Sequence, residues 1–97
     1  MAHLQVTYWR DIPTLVRAWD GAEAVSRPLS ARFQDLVDQV AMQEGLAESQ
    51  AYLAEWRQGV ETERAGSPAA VAAAVVAELE AEFEAVRTRA LGGGRQA

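Results

Sequence analysis

The spacing of apolar residues changes period once along this chain, near Pro28-Leu29-Ser30, and that change restricts the folds open to it. Before it, Leu4, Val6 and Tyr8 alternate with Gln5, Thr7 and Trp9. A period of two puts successive side chains on opposite faces of a strand. After it, Phe33, Leu36, Val37, Val40 and Ala41 fall three and four apart, which makes one stripe on a helix. Strands followed by helices predict an α+β fold: a small three-stranded antiparallel sheet, then three helices packed on one face.

The first strand is expected over Leu4 to Arg10 and the second over Thr14 to Trp19, with Asp11-Ile12-Pro13 between them. Pro cannot donate to a ladder and biases Ile12 to extended geometry. Asp20-Gly21 predicts a two-residue hairpin loop, which would pair Trp19 with Ala22 and Val16 with Val25. The third strand, Ala22 to Arg27, is expected at the sheet edge and ends at Pro28. Ser30 reads as an N-cap and Gly45 as the C′ residue of the first helix. A second short helix, capped by Ser49, is expected to place Tyr52, Leu53 and Trp56 on one face and to close at Gly59. Val60 to Gly66 reads as a polar linker. Ser67-Pro68 opens a third helix expected to reach about Leu91, with Val71, Val75, Leu79, Phe83 and Val86 as its apolar stripe. Residues 1–91 are expected to form one domain, and residues 92–97 a flexible Gly-rich tail.

Composition narrows the function classes. Nine cations face fourteen acids, for a net charge of −5, which argues against nucleic acid or an anionic membrane as partner. All nine cations are arginine, a bias read mainly as a high-GC genome imprint rather than selection for bidentate contacts. There is no cysteine, so no disulfide framework, thiolate metal site or Cys nucleophile is available. Apolar runs are short and the first residues lack the pattern of a secretory signal, so a soluble cytoplasmic protein is expected. The one histidine, His3, has no sequence-adjacent ligands to build a metal site and no partners for a Ser-His-Asp set. No metal and no cofactor are expected.

The candidate surface residues are Trp9, Arg10, Asp11, Trp19 and Arg57. Arg10 and Asp11 could hold a carboxylate or phosphate, or could form a rim pair with an acid such as Asp20 or Glu55. As neighbours on a strand they point to opposite faces, which disfavours a joint catalytic role. Trp9 alternates out of phase with Leu4, Val6 and Tyr8, so either Trp9 or Tyr8 is expected to face away from the core. Glu55-Trp56-Arg57 puts an acid, an aromatic and a base at the end of the second helix. Glu78, Glu80, Glu82 and Glu84 read as a solvated face, with docking of a basic partner as the other option. Gly92-Gly93-Gly94 is no phosphate loop, because it follows a helix and lacks the Lys-Ser/Thr ending.

Tyr8-Trp9-Arg10-Asp11-Ile12-Pro13, Arg32-Phe33-Gln34, Ala41-Met42 and Ala51-Tyr52-Leu53-Ala54-Glu55-Trp56-Arg57 resemble the small bacterial "virulence factor" family. The resemblance implies a stand-alone cytoplasmic protein without assigned catalysis. It also implies that some relatives are encoded beside enzymes of folate- and corrinoid-linked one-carbon metabolism. Members of the family tend to carry basic residues around the second hairpin turn. Asp20-Gly21-Ala22-Glu23 is acidic here, which argues against an anion site at that turn. The function expected is a small non-enzymatic module that docks on a larger protein through the sheet edge and the aromatic-Arg rim. The alternative is a small-molecule or cofactor-binding accessory protein for one-carbon enzymes. A homodimer through the third strand or the last helix is also open.

Overall fold

The structure is a computed structural model that describes residues 1–46 and 50–91. Ser49 and the tail at 92–97 lie outside the described residues. In chain order the elements are β1 (Ala2–Trp9), β2 (Ile12–Trp19), β3 (Ala24–Pro28), α1 (Ala31–Gln43), α2 (Gln50–Ala54), β4 (Trp56–Gln58), β5 (Thr62–Arg64), α3 (Pro68–Ala81) and α4 (Phe83–Leu91). The α+β class stands, but among the described residues the sheet has five strands rather than three, and there are four helices rather than three.

Across the sheet the strands run β3-β2-β1-β4, and β5 also pairs with β1. All the pairings are antiparallel. The two added strands come from segments read as helix end and linker. Trp56 opposes Trp9 and Arg57 opposes Tyr8, so Trp56 and Arg57 extend the sheet instead of the second helix. That helix ends at Ala54, where a turn closes with Glu55 N–H donating to the Tyr52 carbonyl. β5 has no apolar alternation of its own. It is held by its register on β1, with Leu4 opposite Thr62, His3 opposite Glu63 and Ala2 opposite Arg64.

The β1–β2 hairpin is tighter than expected. Trp9 pairs with Ile12, so Arg10-Asp11 is the whole loop, and Arg10 takes the left-handed φ of 55°. One extra residue, Thr14, sits in β2 where the register shifts between Thr7 and Tyr8. A bulge accommodates Pro13 inside a strand, because ladder pairing is already interrupted there. It also ends the simple alternation, and Val6 and Trp9, three residues apart, are both enclosed. The β2–β3 loop is longer than the two residues expected, since Trp19 pairs with Ala24 and Val16 with Arg27. The Asp20 side chain explains this. Its Oδ1 accepts the N–H groups of Ala22 at 2.8 Å and Glu23 at 2.9 Å, a local alternative to a glycine-dependent turn.

Helix ends follow the expected chemistry in two cases and depart from it in two. At the end of α1, Gly45 has a φ of 69°; its N–H donates to Met42, and the Leu46 N–H reaches back to Ala41. This pairing is a Schellman motif. Ser67 accepts the Ala70 N–H, with Pro68 opening α3. Ser30 precedes α1 but makes no side-chain cap; its hydroxyl donates to Glu80 instead. The long last helix breaks at Glu82 into α3 and α4, and the break sets Phe83 edge-on to Phe33 at 5.0 Å.

The core is one cluster in which Trp9, Ile12, Val16, Phe33, Val37 and Val71 are enclosed. α3 lies across β1, β2 and β3, while α1 packs on β2 and α4. Val6, Val16 and Ala18 serve the core from the sheet; His3, Gln5, Thr7, Leu15, Arg17 and Trp19 occupy the opposite side of β1 and β2.

Candidate functional site

The Arg10-Asp11 hairpin loop organises the charged end of the molecule. A non-glycine residue at positive φ is costly, of order 1 kcal/mol, and persists only where the surroundings hold it. Here both the backbone and the guanidinium of Arg10 are engaged. Its N–H donates to the Glu55 carbonyl at 3.0 Å, and its carbonyl accepts from Arg57 Nε at 3.1 Å. Its guanidinium meets Glu44 at 2.9 Å and Glu55 at 3.3 Å, and lies 5.2 Å from the Trp9 ring centre. Partial burial works against the charge, but the hydrogen bonds and attraction of Glu44 and Glu55 outweigh it and raise the Arg10 pKa further above its ordinary value.

Five residues were singled out for a surface role, and they fall into different places. Trp9 is fully enclosed, which corrects its assignment to the surface. Its indole Nε1 donates to the Tyr52 carbonyl at 2.9 Å, and the Tyr52 ring packs against it, because α2 folds over the strand end. Arg10 is half-buried and committed internally, and pairs with Glu55 as the rim reading anticipated. Asp11 is exposed, with Arg57 Nη2 at a long 3.4 Å. Arg57 spreads over the Tyr8 ring at 4.6 Å. Trp19 is half-buried at the far end of β2, away from the other four.

Around Trp19 stands a second constellation that sequence reading missed. His3, opposite it in register, stacks on its ring at 5.7 Å, and the Arg17 guanidinium lies 5.1 Å from the same ring. Strand alternation was the available signal, since it puts positions 17 and 19 on one side of β2. His3 also gains two acids that no sequence spacing supplied, Glu61 at 3.3 Å and Glu63 at 3.5 Å, brought there by β5. Among the described residues no group of three His, Cys, Asp or Glu side chains is placed to hold a metal ion. The acidic face of α3 is partly used: Glu78 pairs with Arg64 at 2.7 Å, and Glu80 binds Ser30 and Arg32.

Two cavities flank the hairpin. The larger, about 570 Å³, is an open groove over Leu4, Val6 and Tyr8 with Arg57, Arg89 and Asp11 at its border. The smaller, about 200 Å³, lies between Ile12, Val40 and Ala90 and shares Asp11 and Arg89 with the first. Arg89, in the last turn of α4, lines both cavities.

Fold and site define a small α+β domain whose five-stranded sheet ends in an open edge at β3 and whose arginines cluster on aromatic rings. Within that class the chain belongs to the Virulence factor family, whose model matches residues 7–91 and so takes in the Arg10-Asp11 hairpin and every helix described. No curated protein and no solved structure matches the chain. No helix among the described residues is long and apolar enough to cross a membrane.

Proposed function

We propose that the protein is a small non-enzymatic interaction module that docks on a larger protein through the open side of β3 and the adjoining Trp19–Arg17 surface. The observation that carries this reading is the position of β3. Among the described residues it hydrogen-bonds to β2 alone, and four of its five residues are exposed. An unpaired edge offers a row of backbone donors and acceptors to an extended segment. Trp19 beside it supplies a large, half-exposed aromatic of the kind that anchors interfaces.

The charge at this edge indicates the partner's chemistry. Arg17 and Arg27 make no ion pair among the described residues, in a chain whose net charge is −5. An extended segment carrying carboxylates fits them, and both pairs would remain solvated at the rim, affecting association rate more than affinity. Trp9 and Arg10 take no part, being core and internally paired.

The test is capture from native lysate on the immobilised protein, with hydrogen-exchange mapping of the complex. A partner retained by the wild type and by Arg57→Ala, lost by Arg17→Glu with Trp19→Ser, and protecting the amides of β3 supports the reading. Capture that is indifferent to the Arg17→Glu/Trp19→Ser pair refutes it. Light scattering distinguishes self-association: a dimer dissolved by the same pair would make β3 a homodimer edge.

A further inference from the structure

The groove over β1 has a chemistry of its own, separate from the β3 edge. Its volume of about 570 Å³ lies within the roughly 300–1,000 Å³ of small-molecule sites. Leu4, Val6 and Tyr8, alternate residues of one strand, give it an apolar floor.

Gly59 forms part of the wall at unusually close range. Its N–H donates to the Val6 carbonyl at 2.7 Å, and its own carbonyl accepts from Gln5 Nε2 at 3.0 Å. A Cβ at this position would stand 2.9 Å from Tyr8 Cε1 and 3.1 Å from the Val6 oxygen, so only glycine lets the wall approach without displacing the Tyr8 ring.

The charged border is arranged before any ligand arrives. Arg57 is held by the Arg10 carbonyl at 3.1 Å and by stacking on Tyr8, so little rotamer freedom remains to be lost on binding. Its Nη2 contact with Asp11 is long, 3.4 Å, and Asp11 is 84% exposed, so the guanidinium keeps donors for another acceptor. Arg89 enters from α4 and has no ion pair among the described residues. Two cations against one acid make this border locally positive on a chain of net charge −5.

We propose that the groove binds a small organic carboxylic acid. Its apolar body lies on Leu4, Val6 and Tyr8, and its carboxylate is taken by Arg57, with Arg89 closing from α4. Arginine suits this role because its fork of N–H donors matches a carboxylate. The volume sets the size class at a compact metabolite-sized acid.

The experiment titrates phenylacetate, and in parallel neutral phenylacetamide, into the isotope-labelled full chain and follows backbone amide shifts. Saturable shifts at Tyr8, Gly59 and Val60 are expected, with phenylacetamide weaker by about tenfold. Arg89→Gln, whose side chain has no ion pair to lose among the described residues, is expected to weaken phenylacetate about three- to tenfold, as is Arg57→Ala. Thr62→Trp fills the groove and abolishes the shifts. Arg17→Glu, on the other side of the sheet, leaves them unchanged, so failure here and failure of the β3 docking surface are distinguishable. Absence of saturable shifts at those amides overturns the proposal. So does equal binding of acid and amide, or an affinity unmoved by Arg89→Gln.

Discussion

Replacing Arg10 by glycine should cost the protein less than replacing it by alanine, the reverse of the usual order. The side chain meets Glu44 at 2.9 Å, Glu55 at 3.3 Å and the Trp9 ring at 5.2 Å while 31% exposed. At that exposure each ion pair contributes about 0.5 kcal/mol and the ring contact about 0.5 kcal/mol, so truncation to alanine removes about 1.5 kcal/mol. The backbone sits at a φ of 55°, where any Cβ is strained. Glycine loses the same side-chain contacts but relieves about 1 kcal/mol of that strain, for a net cost of about 0.5 kcal/mol.

Urea unfolding followed by tryptophan fluorescence measures both variants, since Trp9 is fully enclosed in the folded state. With equal m-values the midpoints order as wild type, Arg10→Gly, Arg10→Ala. In a domain of this size the two variants should melt about 4–8 °C apart. Salt separates the two contributions. At about 1 M the Debye length falls to about 3 Å, so the gap between wild type and alanine narrows. The gap between alanine and glycine persists, because a dihedral strain is not screened. An alanine variant as stable as the glycine variant would refute the left-handed two-residue loop and the energetics built on it.

Glu80 should make stability fall on the acid side. Partial burial acts to raise its pKa, but hydrogen bonds from the Ser30 N–H and hydroxyl, followed by Arg32, outweigh it and hold the carboxyl below its ordinary value. The unfolded chain therefore takes up the proton first. The contribution is complete above the ordinary glutamate pKa and is lost as pH falls through the lower folded value. Glu80→Gln should be the less stable protein at neutral pH and converge on wild type in acid, as pH-dependent denaturation will show. Gly45→Ala should cost about 1 kcal/mol in the same assay, because the Schellman turn needs its φ of 69°. Gly59→Ala should cost about 1–3 kcal/mol, since its Cβ would press on Tyr8 and the Val6 carbonyl. It should also shift the Tyr8 ring resonances, whereas Gly21→Ala, with open space around it, should do neither.

The elements legible in the sequence were those whose signal is carried within one segment. The apolar stripe of α1, the glycine after it and Ser67-Pro68 before α3 all act over a few residues. What escaped depends on partners remote in the chain. Thr62, Glu63 and Arg64 become a strand because β1 has an open edge there, and nothing in three polar residues encodes that. Trp56 and Arg57 fit a helical face as well as a strand until Trp9 and Tyr8 stand opposite them. Glu80 looked like one more solvated acid, and its role arises from Ser30 and Arg32, fifty and forty-eight residues away. The Tyr8–Pro13 motif was visible as important, but its burial was not. Alternation left open whether Trp9 or Tyr8 faces away from the core; Trp9 is enclosed because Tyr52 of α2, forty-three residues on, packs against its ring and accepts its indole N–H.

That motif ties structural integrity to the groove through one backbone group. Arg57 is positioned by the Arg10 carbonyl, not by the Arg10 side chain, and it rests on Tyr8, two residues earlier in the same motif. The left-handed turn aims that carbonyl at Arg57, while the Arg10 guanidinium, through Glu44 and Glu55, anchors the turn to the end of α1 and to the residue after α2. One residue therefore uses its side chain for stability and its backbone for presenting a cation. The two roles separate under substitution: glycine keeps the carbonyl and the turn while discarding the anchors. A hairpin built this way gathers charge at Arg10 while leaving Arg57, not Arg10, on the border of the groove.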